Sequence, residues 1–231
     1  STENAPRQAN RRRALIAGAA GNVVEWYDWT IYALFAIYFS EQFFPNSNPT
    51  ASLLATFTVF AVGFLARPLG SVLLGRVCDR VGRSAALSVS VMLMAASSLG
   101  IAFLPTTASI GIAAAFLLVF LRLVQGLSLG GESAAVGAYL AESAPARRRG
   151  LFTSVYPTTI MLGTLMGAMV GVALTTFLSS EQLASFGWRI PFVIGGVLGI
   201  VGFIIRRKSH ETLDKTATPE PRPVRTVMKQ H

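Results

Sequence analysis

Residues 84–121 read SAALSVSVMLMAASSLGIAFLPTTASIGIAAAFLLVFL, a run of 38 residues without one charged side chain. A helix needs about 20 mostly apolar residues to cross the roughly 30 Å hydrocarbon core of a bilayer. The run is therefore long enough to cross twice. Pro105, followed by Thr106 and Thr107, lies near its middle and predicts the turn between two membrane-spanning helices.

The remaining apolar stretches extend this pattern over most of the chain. The sequence predicts an all-α integral membrane fold of six transmembrane helices, because 52% of its 231 residues are hydrophobic and only 13% are charged, where about 25% is usual in soluble proteins. The predicted spans are about 14–40, 51–75, 85–104, 110–136, 152–178 and 190–207, between a cytoplasmic N-terminus at 1–13 and a cytoplasmic tail at 208–231.

The excess of basic residues, 20 Lys and Arg against 11 Asp and Glu, follows these predicted spans. Basic residues gather before the first span, between the second and third, between the fourth and fifth, and after the sixth. Only Arg189 lies on the opposite side. The positive-inside rule then predicts a multi-pass protein of the cell inner membrane with both termini cytoplasmic. Since topology accounts for the charge, nucleic acid is not an expected partner.

Few side chains are suited to catalysis or metal binding. Cys78 is the sole cysteine, and the two histidines, His210 and His231, lie outside the predicted spans. Residues 126–130 read GLSLG and fit the G-x-S-x-G pattern of hydrolases, but they lie in a predicted apolar helix, and no predicted span contains a histidine. We expect no enzymatic activity, no metal and no cofactor.

Five ionisable residues interrupt the apolar spans: Glu25, Asp28, Arg67, Arg122 and Glu132. A charge at the bilayer centre costs at least about 2.5–3.5 kcal/mol, so these side chains are expected to face protein or a water-filled cavity. They are either functional groups or buried ion pairs that only fix helix packing. Arg67 fits the structural interpretation best, because it lies toward the cytoplasmic end of its span.

Helical spacing groups most of these residues with other polar side chains. One face of the first span carries Asn22, Glu25, Asp28, Trp29 and Tyr32. One face of the fourth span carries Arg122, Gln125, Gly126 and Ser133. The two faces are the expected lining of a shared polar site.

The segment between the second and third spans carries a family motif. Residues 75–83 read GRVCDRVGR, which resembles the G-x-x-x-D-R-x-G-R signature of the major facilitator superfamily, and we expect a tight basic turn there. Ser84 stands where a second basic residue is common. In the fourth span, RLVQG at 122–126 resembles the R-x-x-Q-G motif of the same superfamily.

Further stretches are similar to one branch of that superfamily, the metabolite:proton symporters. They are GNVVEWYDW at 21–29, GFLARPLG at 63–70, QGLSLGGE at 125–132, GWRIPF at 187–192, and Arg206-Arg207 followed by Glu211-Thr212. The likeness is nearest to 2-oxoglutarate permeases. Members have twelve spans, so the resemblance implies that this chain is an N-terminal six-helix half with a C-terminal six-helix half as its partner.

The resemblance implies symport of a small organic acid with protons, through a cavity lined by the first helix of each three-helix repeat. Spans one and four, which are those first helices, carry four of the five buried ionisable residues. The expected substrate-binding residues are Arg122, Gln125, Trp29 and Tyr32. The expected proton-coupling acids are Glu25, Asp28 and Glu132. The expected gating or structural residues are Asp79, Arg80, Gly82, Arg83 and Arg67.

Other interpretations stay open at this point. The substrate could instead be a zwitterionic osmolyte of the proline/betaine type, or the chain could be a truncated membrane protein that does not transport. The arginines between the second and third spans could also be topology signals only.

Overall fold

The computed structural model describes the backbone of residues 4–81, 83–143 and 154–208, and the side chains of residues 20–76, 88–130, 154 and 156–204. Every regular element in this described part is helical. In chain order the elements are α1 (Asn4–Phe43), α2 (Pro49–Leu65), α3 (Arg67–Val81), α4 (Arg83–Ala102), α5 (Thr107–Ile110), α6 (Ala113–Ser143), α7 (Val155–Phe177), α8 (Ser180–Gln182), a π-helical turn (Leu183–Gly187) and α9 (Arg189–Lys208).

The long helices overlap the six predicted spans without sharing their boundaries, and they differ in polarity. Within the described residues, three helical stretches are long and apolar enough to cross a membrane: Pro49–Arg76, Ala113–Gly130 and Tyr156–Phe177. A fourth follows if Ser180–Gly187 and Arg189–Ile204, which meet at an angle of 46°, form one bent span. The boundaries of the six spans in a bilayer stay a prediction.

The second predicted span is divided into two helices. α2 begins with Asn48 as its cap, whose side chain accepts a hydrogen bond from the Thr50 amide at 3.0 Å, and it ends at Leu65. Pro68 has no backbone N–H to continue the helical ladder, and it sits in the first turn of the new helix, where that loss is tolerated. Arg67 is thereby placed at the junction of α2 and α3.

The expected tight turn over residues 75–83 is wrong for most of its length. α3 continues through Val81, so residues 75–81 are helical, while Gly82 lies outside the described residues. The physical reason is that Gly75 is the only glycine between Ser71 and Val81 and that no proline occurs there. One interior glycine costs about 1 kcal/mol, which does not end a helix by itself.

Glycines allow four pairs of helices to pack with their backbones close together. A methyl group at Gly126 of α6 would collide with the Gly63 carbonyl of α2, and one at Gly130 would collide with the Arg67 carbonyl. In the same way Gly163 of α7 packs on α1, and Gly199 of α9 packs on α4. Small residues at helix crossings are the usual way for membrane helices to approach each other closely.

α1 is central to the bundle, since it packs on α2, α6, α7 and α9. Its aromatic side chains form a buried cluster with Trp188, which follows the π-helical turn, and with Phe192 of α9; the members from α1 are Tyr27, Tyr32, Phe35, Phe39 and Phe43. The outward face of α7 is apolar but exposed, at Met161, Leu165, Met169 and Val172. An apolar exterior around a core with buried polar groups is the arrangement expected of a protein surrounded by lipid.

Candidate substrate and proton site

The site is built on two turns in the middle of α1. Glu25, Asp28, Trp29 and Tyr32 lie three or four residues apart and therefore share one broad face. All four are buried, with at most 3% of each residue exposed. The burial of two carboxyl groups within one turn of helix requires partners from neighbouring helices, because an isolated buried charge is very costly.

Asp28 receives partners from two other helices. Its Oδ2 atom accepts a hydrogen bond of 2.7 Å from Gln125 Nε2 and lies 3.4 Å from Arg122 Nη1, both on α6. Its Oδ1 atom accepts a short hydrogen bond from the hydroxyl of Ser98 on α4. The carboxylate thus joins α1, α4 and α6 at one point.

Arg122 is fully buried, with none of its surface exposed. Its Nη1 atom donates to Gln125 Oε1 at 2.7 Å in addition to facing Asp28. Its Cζ atom lies 3.8 Å from the ring centroid of Tyr32, 4.4 Å from that of Trp29 and 5.5 Å from that of Phe60. These rings stabilise the cation by cation–π attraction.

Two donors of the Arg122 guanidinium are not used. Among the described residues, neither Nε nor Nη2 has a hydrogen-bond partner, although both atoms are buried. A buried donor without a partner costs about 1–3 kcal/mol, and more when it is charged. The guanidinium is therefore suited to bind an anion, since two adjacent N–H groups match the two oxygens of a carboxylate.

A second ion pair lies beside the first. Arg67 Nη2 is 3.0 Å from Glu25 Oε1, which links the α2–α3 junction to α1. The Arg67 side chain is 22% exposed, whereas that of Arg122 is fully buried, so the two arginines differ in access. The Arg67 Cζ atom lies 4.3 Å from the ring centroid of Phe64 and 5.1 Å from that of Trp29.

The rings around the arginines are themselves held in place. Trp29 packs against Phe64 and Phe60, with ring centroids 4.1 Å and 4.8 Å apart. The Tyr32 hydroxyl donates to the Thr56 carbonyl at 3.1 Å. Because α2 supplies all of these contacts, the position of α2 controls the walls of the site.

The structure brings together one part of the site expected from the sequence and does not describe the other. Arg122, Gln125, Trp29, Tyr32 and Asp28 form a single cluster, and the Glu25–Arg67 pair adjoins it through Trp29. The roles expected of five further residues stay predictions, because the description of the structure does not include Gly82 or the side chains of Asp79, Arg80, Arg83 and Glu132.

Ser98 was not among the residues expected at the site. A serine is common in membrane helices and costs little there, so its presence in a span does not by itself indicate a functional site. The available signal was weak: Ser97 and Ser98 are a pair of hydroxyl residues within an otherwise apolar stretch. Only the packing of α4 against α1 distinguishes the serine that meets the carboxylate.

A helical bundle with an apolar exterior and two arginine–carboxylate pairs between its helices, one buried and one partly exposed, is typical of an integral membrane protein with a functional polar site. Specifically, the chain belongs to the sugar (and other) transporter family, whose model matches residues 14–213. The resemblance to the major facilitator superfamily and its proton symporters is thereby confirmed.

Curated relatives cover most of this chain. It is 42% identical over 204 residues to the alpha-ketoglutarate permease of Escherichia coli K12, an alignment that covers 87% of this chain and 47% of the permease. It is 40% identical over 202 residues to a putative proline/betaine transporter of Staphylococcus aureus COL (87% and 43% covered), and 38% identical over 204 residues to the citrate-proton symporter of Klebsiella pneumoniae (88% and 46%). The chain thus spans a little under half the length of these relatives.

Solved structures agree on the fold. The proton:xylose symporter XylE bound to 6-bromo-6-deoxy-D-glucose matches with a TM-score of 0.75 at 20% identity, covering 87% of this chain and 45% of that chain. At this identity the likeness concerns the fold alone. The predicted fold class, an all-helical membrane bundle corresponding to one half of a major facilitator superfamily transporter, is confirmed.

Proposed function

We propose that this chain is the N-terminal half of a proton-coupled symporter for a small organic acid, 2-oxoglutarate or a related carboxylate. The observation that carries the proposal is the buried Arg122 guanidinium, whose Nε and Nη2 atoms have no partner among the described residues. A permanently charged, planar group with two adjacent donors binds a carboxylate in bidentate fashion. The identity to the alpha-ketoglutarate permease and the citrate-proton symporter supports this substrate class.

Proton coupling follows from the balance of charge at Arg122. With Asp28 ionised, the pair carries one positive and one negative charge, 3.4 Å apart. An anionic substrate at Arg122 would add a second negative charge to a buried site, which is costly. A proton on Asp28 restores the balance, so proton and anion bind more favourably together than either does alone.

Glu25 and Arg67 form a second pair of the same kind near the first. Either acid could therefore carry the proton, but Asp28 faces the fully buried arginine with two adjacent unused donors, whereas Glu25 faces the partly exposed Arg67, in which Nε alone is a buried donor without a partner among the described residues. We assign the proton to Asp28 and treat Glu25 as the control position.

The experiment is uptake of labelled 2-oxoglutarate by the assembled transporter in vesicles with an imposed pH gradient. Asp28→Asn should abolish most of the pH-driven accumulation while exchange of internal for external substrate persists, because exchange needs no proton release. Glu25→Gln should retain more accumulation than Asp28→Asn. Undiminished accumulation in both single variants and the double variant would exclude this helix from proton coupling.

A zwitterionic osmolyte is the second candidate substrate. The observation in its favour is the aromatic cluster of Trp29, Phe60 and Phe64, since such rings also bind quaternary ammonium groups. A putative proline/betaine transporter at 40% identity points the same way. Parallel uptake of labelled betaine separates the two candidates: transport of betaine and not of 2-oxoglutarate would replace our substrate assignment.

We further propose that a second six-helix half completes the cavity, in the cell inner membrane with both termini cytoplasmic. Two bundles moving about a shared site are the basis of alternating access. In this proposal Asp79, Arg80, Gly82 and Arg83 form a cytoplasmic gate against that half. The 231-residue chain expressed alone should then insert in the membrane without transporting, and co-expression with a matching half should restore uptake. Robust uptake by the chain reconstituted alone would contradict this.

A further inference from the structure

We infer that Ser98 positions the proton-carrying carboxylate, and that the proton is held on the Oδ1 atom of Asp28. The inference rests on the proposed function, in which Asp28 carries the proton. It goes further because it names the oxygen atom of Asp28 that is protonated, and because it names Ser98, on another helix, as the hydrogen-bond partner of both the charged and the neutral carboxyl group.

The two oxygens of Asp28 have partners of different chemistry. Oδ2 faces Gln125 Nε2 at 2.7 Å and Arg122 Nη1 at 3.4 Å. Both of these groups only donate hydrogen bonds. A proton placed on Oδ2 would point at donors and would find no acceptor there.

The orientation of the Gln125 amide follows from its other contact. Arg122 Nη1 lies 2.7 Å from Gln125 Oε1, and a guanidinium accepts no hydrogen bond. The amide oxygen must therefore face Arg122, which turns the NH₂ group toward Asp28. This excludes the flipped amide, in which an oxygen could accept a proton from Oδ2.

Oδ1 has a partner that both donates and accepts. The Ser98 hydroxyl, only 2% exposed at the residue level, donates to Oδ1 when the carboxylate is charged. When Oδ1 carries a proton, the same hydroxyl oxygen can rotate its own hydrogen away and accept. Ser98 thus accommodates both protonation states without movement of a helix.

The surroundings leave this side of the carboxylate close-packed but uncharged. A methyl group at Gly195 of α9 would lie 3.3 Å from Oδ1 and 3.5 Å from the Ser98 hydroxyl, so α9 leaves little free space on this side of the carboxylate. Among the described groups that face Asp28, Arg122 of α6 is the charged one, while Ser98 of α4 and Gly195 of α9 are neutral. The neighbouring Tyr27 donates its hydroxyl to the Pro191 carbonyl at 2.9 Å.

The test is the pH dependence of proton-driven uptake by the assembled transporter carrying Ser98→Ala. Ser98→Ala removes the hydrogen bond made in each protonation state, but the bond to the charged oxygen is roughly twice as strong as the neutral one, so the pH of half-maximal uptake should rise, by up to about one unit. At a pH low enough to protonate Asp28 in both proteins, the KM for substrate exchange should stay within about twofold of the wild-type value, because the Arg122 donors are untouched. Ser98→Thr, which retains the hydroxyl, should return the pH profile toward that of the wild type.

Ser90→Ala is the matched control. Ser90 is a buried serine on the same helix as Ser98. Its hydroxyl donates to the Ser128 carbonyl of α6 at 2.5 Å and does not touch a carboxylate. It should leave the pH profile unshifted. If Ser98→Ala is not recovered in the membrane, Ser98→Cys provides the weaker donor at similar size and should shift the profile in the same direction.

The outcomes separate this inference from the proposed function. An unshifted profile in Ser98→Ala or Ser98→Cys, alongside loss of accumulation in Asp28→Asn, would overturn the role of Ser98 and leave Asp28 as the carrier. Equal shifts in the Ser98 and Ser90 variants would also overturn it, since the effect would then come from α4 packing. Intact accumulation in Asp28→Asn would remove the proposed function and this inference together.

Discussion

The guanidinium groups of Arg67 and Arg122 lie against the same indole ring, with Cζ atoms 5.1 Å and 4.4 Å from the ring centroid of Trp29. Each arginine is balanced by an acid of α1, Glu25 for Arg67 and Asp28 for Arg122. Trp29 therefore connects a partly exposed ion pair to a fully buried one. A change of charge at either pair alters the electrostatics at the other across a single ring.

The buried pair should contribute more to stability than the partly exposed one. Arg122→Gln leaves Asp28 without its arginine in a site that solvent does not reach, and the loss of one member of a buried pair costs about 3–5 kcal/mol. Arg67→Gln should cost less, because the side chain is 22% exposed and its charge is screened. Thermal unfolding of the purified transporter in detergent measures both.

The double variant Arg122→Gln with Asp28→Asn is the control for that comparison. It removes both charges and should recover part of the stability lost in Arg122→Gln alone. A double variant as unstable as the sum of the two single variants would contradict a direct pair.

Lysine should not support substrate uptake in place of Arg122. Arg122→Lys retains the charge but loses the two unused donors and the flat face against Tyr32, so uptake should fall by about 10- to 100-fold. Arg83→Lys keeps the charge that the proposed cytoplasmic gate needs, and it should impair uptake far less than Arg122→Lys. The measurement is kcat/KM for substrate uptake, and equally mild effects at both positions would remove Arg122 from the substrate site.

The crossing of α2 and α6 should not tolerate a side chain at Gly126. A methyl group there would overlap the Gly63 carbonyl, and overpacking of this kind costs about 1–3 kcal/mol. Gly75→Ala is the matched control, since among the described residues no heavy atom outside its own stretch of helix lies within 4 Å of the position of its added methyl group. Thermal unfolding in detergent should show a lower transition temperature for Gly126→Ala only.

Labelling of Cys78 tests the orientation of the chain. Cys78 is the sole cysteine and lies near the end of α3, beside the arginines that the positive-inside rule places in the cytoplasm. A membrane-impermeant thiol reagent should therefore react with inside-out vesicles and not with intact cells. Reaction from outside intact cells would reverse the predicted topology.

The sequence alone determined the class of protein and the residues that required an explanation. Apolar runs of about 20 residues predict membrane helices because the bilayer sets their length, and the distribution of arginine predicts orientation. A charged residue inside an apolar span is costly in lipid, and it can be recognised from that span without knowledge of its partner. This made four residues identifiable as unusual: Glu25, Asp28, Arg67 and Arg122. The length of each span, its apolar character and the positions of its charges are properties of single helices, and the sequence is sufficient to determine them.

Only the tertiary structure decided which of these residues meet. Arg67 pairs with Glu25 across 42 residues of sequence, Arg122 with Asp28 across 94, and Ser98 reaches Asp28 across 70. Such pairings depend on where helices cross and how closely their backbones approach, and here glycines such as Gly126 and Gly163 set that approach. Helical spacing indicates that Glu25 and Asp28 share a face of α1, but a charge carries no information about its partner. The packing of α1, α4 and α6 gives the two oxygens of Asp28 different partners. Oδ2 faces groups that only donate hydrogen bonds, whereas Oδ1 faces a hydroxyl that can donate and accept.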